Sequence, residues 1–224
     1  MKIGSGGVAT VTMVRADKHN ALDQAMFEAL QEAALALAAD TSVRAVVLHG
    51  EGKSFCSGLD VASFMGYRGG TKVLLTRADD HPANFAQRVT YDWSMVPAPV
   101  IAAIHGNCFG GGLQIALGAD IRIAAPDAKL SIMEIKWGLV PDMGITQTLP
   151  RLLPIDVAKE LAAEIASRSP DAMRAAKRLY DTSWHAPVEE GLLLETELQT
   201  GLIGSPNQIE AVRAGMAKEP ANFA

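Results

Sequence analysis

Two apolar, strand-like runs that each break into a glycine-bearing turn constrain this chain more than any other feature. Residues 43–49 lead into Phe55-Cys56-Ser57-Gly58-Leu59-Asp60, and residues 100–105 lead into Phe109-Gly110-Gly111-Gly112-Leu113-Gln114. The β-branched run at 43–48 suits a buried strand. Backbone that leaves a strand through glycines can aim N–H groups at a ligand without side-chain obstruction. The second turn opens into a helix-like stretch at 113–117. Two such turns can direct two N–H donors at one oxygen, the arrangement of an oxyanion hole.

The rest of the chain frames those turns. Alternation at 7–14 predicts a strand. Leu22, Met26, Leu30, Ala33 and Leu37 recur at helical spacing and predict an amphipathic helix over 22–39. Residues 66–82 are polar, with glycines and charges, and read as a mobile surface loop. A helix over 83–95 is stopped by Pro97 and Pro99. Beyond the second turn come a helix to Gly118 and short strands at 121–124 and 129–132. After Leu149 the composition changes to helix throughout, over 157–167, 170–182, 188–202 and 206–217. Pro170 and Pro206 stand where a first helical turn tolerates proline. The expected organisation is therefore mixed α/β over 1–150 and all-helical over 151–224.

Bulk properties narrow the function. The chain has 224 residues, about half of them apolar, and a net charge of −5. That balance argues against a nucleic-acid surface, which needs clustered Lys and Arg. Cys56 and Cys108 are the only cysteines, so no disulfide framework is implied. No apolar stretch reaches membrane-spanning length, and the N-terminal residues lack a signal-peptide core. A cytoplasmic protein is the expectation.

Several motifs fail on inspection. Gly50-Glu51-Gly52-Lys53-Ser54 ends like a P-loop, but the pattern needs a glycine where Val47 stands. The dinucleotide fingerprint cannot be placed on 106–112. Ser57 lacks the flanking glycines of a nucleophile elbow. The cysteines are not at metal-ligand spacing and the five His are scattered, so no metal site is expected. Glu134 and Asp142 flank a largely apolar stretch, which would raise their pKa values and make them usable proton donors or bases. Spacing alone favours plainer roles: an ion pair of Glu134 with Lys136 or an Arg, and Asp142 capping a helix that begins near Gly144.

The order of four motifs changes that balance. Asn20-Ala21-Leu22, then 52–60, then 106–112, then Met133-Glu134-Ile135 through Pro141-Asp142-Met143-Gly144, resembles the crotonase (enoyl-CoA hydratase/isomerase) superfamily over about 7–153. The resemblance implies a spiral of ββα units with a C-terminal helical region supporting trimers or paired trimers. It implies an acyl-CoA substrate, with coenzyme A part of that substrate and no separate cofactor. Leu59 and Gly111 fall on the two oxyanion donors, and Gly111 at a helix N-terminus suits developing negative charge. Lys18, Lys53, Ser57 and Leu59 match positions near bound coenzyme A. Glu134 matches one of two hydratase acids, while the other falls on Gln114, which cannot exchange a proton. Asp142 matches an acid used by dienoyl-CoA isomerases. The implied activity is enoyl-CoA isomerisation or hydration, with isomerisation favoured because Gln114 replaces an acid and hydration through Glu134 alone should be slow. Thioester hydrolysis, decarboxylation and non-catalytic acyl-CoA binding stand as alternatives.

A second departure lies near 160–163, where a family segment of roughly thirty-five residues is missing, within ordinary domain sizes. Either the region is shortened or residues have been omitted there, and the lack of a turn signal at the junction favours omission.

Overall fold

The computed structural model describes residues 1–65, 70–78, 80–153 and 169–223. Two compact units divide the chain: 1–76 with 85–132, and 77–84 with 133–224.

The first unit is built on strand–strand–helix repeats. Strands β1 (Lys2–Ile3), β2 (Val8–Met13), β3 (Ala45–Gly50), β4 (Val100–Ile104) and β6 (Ile121–Ala124) form one sheet in the order β1-β2-β3-β4-β6. Only the β1–β2 pair is antiparallel; β2–β3, β3–β4 and β4–β6 are parallel. The short strands β5 (Asn107–Phe109) and β7 (Lys129–Ser131) pair in parallel as a second sheet. Isolated bridges join Cys56 to Cys108 and Leu22 to Leu59. Strands β2, β3, β4 and β6 are thus each followed by a bridge residue or a small-sheet strand. Helices α1 (Gln24–Ala39), α2 (Val61–Met65) and α4 (Gly111–Gly118) follow the first three of these pairs. The expected ββα spiral is therefore present in its repeat.

Sequence logic accounts for the elements. The buried apolar side chains of β3 and β4 are Val46, Leu48, Val100, Ala102 and Ile104. Their register places Val46 beside Val100 and Leu48 beside Ala102, so apolar side chains meet apolar ones across the buried face of the sheet. Helix α1 begins two residues later than its periodicity predicts, because Asp23 caps it by accepting the Met26 N–H at 2.9 Å. The helix expected over 83–95 is α3 (Phe85–Tyr91) continued by a 3₁₀ turn. Of the loop expected at 66–82, Gly70–Leu75 form a 3₁₀ helix, while 66–69 and 79 lie outside the described residues.

The second unit contains α5 (Ile145–Thr148), α6 (Pro170–Ser183), α7 (Val188–Leu202) and α8 (Pro206–Ala217). Ser169 and Ser205 cap α6 and α8 through the Ala172 and Gln208 N–H groups, and each is followed by proline at the first helical position. The helix expected at 157–167 and the junction near 160–163 lie outside the described residues. No described helix is long and apolar enough to cross a membrane.

Candidate active site

The two glycine turns of the first unit are stitched together by backbone. Cys56 N–H donates to Asn107 O at 3.1 Å, and Phe109 N–H donates to Cys56 O at 3.0 Å. Gly58, at φ +92°, lies against the second turn: a methyl group there would sit 3.0 Å from Phe109 O and 3.7 Å from Gly111 N. Gly110 adopts φ 53°, ψ −124°, a conformation open essentially to glycine alone, and this bend starts α4 at Gly111. Gln114 N–H makes the first bond of that helix, to Gly110 O at 3.0 Å. The N–H groups of Leu59 and Gly111 have no hydrogen-bond partner among the described residues. Adjacent turns thus present two unspent donors, one of them at a helix N-terminus.

A polar scaffold fixes the first turn. Asn20, fully buried and at φ 55°, accepts the Arg15 N–H at 2.9 Å and donates to Glu51 O and Ser54 O at 2.9 and 2.8 Å. Arg15 in turn binds Asp60 at 2.7 Å and Asp23 at 3.2 Å. Burial acts to raise the Asp60 pKa, but the Arg15 guanidinium and the Ser63 hydrogen bonds outweigh it and hold the carboxyl below its ordinary value. Leu59 sits just before that anchored carboxylate. Its chain is also fastened to Leu22, which donates to Gly58 O at 2.8 Å and accepts from Asp60 N–H at 2.9 Å.

The remaining sequence-predicted residues of this unit separate by environment. Gln114 is 0% exposed, on the first turn of α4. Lys18 and Lys53 are exposed. Ser57 joins the Lys18 turn, donating its N–H to His19 O at 3.0 Å and its hydroxyl to Lys18 O at 3.4 Å. Cys56 and Cys108 are free and buried, and burial pushes both thiols up to about 12. They are core residues, as small buried cysteines commonly are.

The two predicted acids belong to the second unit. Glu134 opens a 3₁₀ turn, Glu134–Trp137, and is half-buried. Its neighbour Lys136 lies over the Trp137 ring at 5.3 Å. Asp142 is 9% exposed. Burial, then the charges of Glu195 and Glu134, drive its pKa well above the carboxylate range, against weaker hydrogen bonds from its own backbone and the Gln199 side chain. Capping by Asp142 does not occur: the N-cap of α5 is Gly144, which has no side chain to cap with.

Sequence reasoning missed the residue that takes over that task. Glu195 of α7, 0% exposed, accepts the Gly144 N–H at 2.8 Å, the Thr146 N–H at 2.9 Å and the Thr146 hydroxyl at 2.6 Å. Hydrogen bonds to a charged group contribute about 1.5–3 kcal/mol each. One helical turn on, Gln199 Oε1 accepts the Val140 N–H at 3.2 Å. The Tyr180 phenol completes the cluster; burial, then the charges of Glu134 and Glu195, raise its pKa. Among the described residues no group of His, Cys, Asp and Glu could hold a metal ion.

Strand–strand–helix repeats in the first unit and helices in the second define an α/β protein. The model of the enoyl-CoA hydratase/isomerase family matches residues 4–163, and the chain belongs to that family, within the crotonase superfamily. It is similar to the mitochondrial methylglutaconyl-CoA hydratase of Mus musculus, at 28% identity over 97% of this chain and 79% of the relative. The mitochondrial Delta(3,5)-Delta(2,4)-dienoyl-CoA isomerase of Mus musculus is 28% identical over 94% of this chain and 77% of its own. The solved enoyl-CoA hydratase/isomerase of Pseudoalteromonas atlantica T6c shares the fold, with a TM-score of 0.71 at 20% identity and coverage of 100% and 98%.

Proposed function

We propose that this protein acts on an enoyl-CoA thioester and isomerises it through an enolate. The observation that carries this reading is the pair of unspent N–H groups of Leu59 and Gly111, on turns locked together through Gly58. When a proton leaves the α- or γ-carbon of such a thioester, negative charge gathers on the carbonyl oxygen. Two fixed N–H donors stabilise that charge without reorganising, and losing one donor costs about 3–4 kcal/mol. Glu134 removes a proton from the acyl chain and Asp142, favoured in its protonated form by its surroundings, returns one at another carbon.

Gln114 supports isomerisation over hydration. Hydration by a pair of acids needs one to activate water and the other to protonate carbon. An amide exchanges no proton, so Gln114 serves as a hydrogen-bonding group only. Exposed Lys18 and Lys53, with Ser57, receive the phosphates and adenine of coenzyme A. The C-terminal helices mediate a homotrimer or dimer of trimers, a reading supported by the exposed Leu193, Ile209 and Met216. Light scattering of the purified protein reads that assembly directly.

The test is turnover of 2-enoyl-, 3-enoyl- and 3,5-dienoyl-CoA by the purified protein. The expected result is conversion of a 3-enoyl or 3,5-dienoyl substrate, lowered about 10²- to 10⁴-fold in Glu134→Gln. Free coenzyme A or CO₂ as product would redirect the reading to hydrolysis or decarboxylation. Binding of the thioester with no turnover, unchanged by Glu134→Gln, would sink it.

A further inference from the structure

The buried face of α7 is apolar at Leu192, Leu198 and Leu202, yet Glu195 and Gln199 stand within it. An unmatched carboxylate there would be strongly destabilising, so both groups must be answered by partners. Both reach one short segment. Glu195 takes the N–H groups of Gly144 and Thr146 and the Thr146 hydroxyl. Gln199 takes the Val140 N–H through its oxygen, and its side chain acts to lower the Asp142 pKa. Asp142 is thus flanked by anchored backbone on either side, at Val140 and at Gly144 and Thr146. These anchors come from two residues one helical turn apart. Gly191, a further turn back, lets α7 approach this segment: a side-chain carbon there would sit 2.7 Å from Gln147 Nε2 and 3.0 Å from Thr146 Oγ1.

We propose that Glu195 and Gln199 are positioning residues that hold the segment 140–146 and orient the Asp142 carboxyl for proton transfer. A cap for α5 would require only the contacts of Glu195 with Gly144 and Thr146. The bond of Gln199 to Val140 serves no helix end; it holds the backbone two residues before the Asp142 carboxyl. Charge adds to geometry. Glu195 and Glu134 act on Asp142 and also on Tyr180, and Arg77 feels Glu189 and then Glu195. Arg77 is itself engaged with Leu192 O at 3.3 Å and Thr196 Oγ1 at 3.2 Å on the same helix. Replacing Glu195 by Gln keeps an acceptor for Thr146 but turns an amide N–H toward the Gly144 N–H and removes the charge.

This inference rests on the reading of Asp142 as a proton carrier, and its test separates the two. Glu195→Gln and Gln199→Met are assayed in the full chain on the thioester that the parent converts. Each is expected to lose about tenfold or more in kcat with KM changed less than about threefold, since misplaced groups slow chemistry more than binding. In Glu195→Gln the pH limb of kcat belonging to Asp142 moves to lower pH, and Glu195→Asp recovers part of kcat. Unchanged kcat and an unmoved limb in both variants overturn the proposal. If the parent converts no thioester, the catalytic reading fails by itself. Carboxyl ¹³C titration of Asp142 then decides: a midpoint lowered by about one unit in Glu195→Gln upholds the coupling, and an unmoved midpoint ends it.

Discussion

Gly112 and Cys56 are in such close approach that a side-chain carbon on Gly112 would lie 2.6 Å from both Cys56 Cβ and Cys56 O. Helix α4 can therefore start where it does only with no side chain at this position. Gly112→Ala forces the helix away from the first turn and is expected to cost about 1–3 kcal/mol, the usual range for overpacking. Urea unfolding measures it. Truncating Cys56 as well should give incomplete rescue, because the backbone oxygen remains in the way. Full recovery in the double variant would show that side-chain contact alone sets the constraint.

Gly58 makes a different demand. Its φ of +92° disfavours any side chain, and an added methyl would press on Phe109 O at 3.0 Å. Backbone strain of about 1–2 kcal/mol is expected from Gly58→Ala, on top of a displaced Leu59 N–H. The prediction is a folded protein whose kcat falls by up to about a hundredfold, as for a lost oxyanion donor. Parental turnover in a Gly58→Ala protein with parental circular dichroism would remove Leu59 from the donor pair.

The legible parts of this molecule are those where one residue type answers one backbone need. Glycines 58, 110 and 112 stand where positive φ or close approach excludes a side chain, so both turns were readable before any coordinates. The runs before them became β3 and β4, and Pro170 and Pro206 marked true helix starts. Strand β5 was not readable, because three residues inside a glycine-rich turn carry no period. The role of Glu195 was hidden for another reason. A glutamate in a helix normally signals a solvated face, and only the partners at Gly144 and Thr146, some fifty residues earlier, reveal it as buried. Spacing alone favoured Asp142 as a cap for the same cause: local spacing points to a short-range partner, whereas α5 is served from α7.

Cys56 and Cys108 yield a sharp chemical expectation. Both are buried, and their thiols are pushed up to about 12 by burial. The thiolate is the reactive form, so neither should react with a disulfide reagent at neutral pH in the folded protein. After denaturation both should titrate. Rapid reaction of the native protein would mean that the two stitched turns open readily.

Asp142 ties stability to pH with a definite sign. Its folded-state pKa is raised above the reference of 3.8, first by burial and then by Glu195 and Glu134. The folded protein therefore keeps a proton that the unfolded chain releases. Stability from this group is fully present below the unfolded pKa and is lost as pH rises toward and through the raised folded value. Asn cannot titrate and still offers Gln199 an acceptor, so Asp142→Asn should gain on the parent as pH rises through that window. The gain is about 1.4 kcal/mol per unit of pH until the folded group ionises. Urea unfolding of both proteins from about pH 4 to pH 8 gives the comparison. Curves that run parallel across this range would mean that Asp142 ionises alike in the folded and unfolded states, and would withdraw it from service as a proton donor at neutral pH.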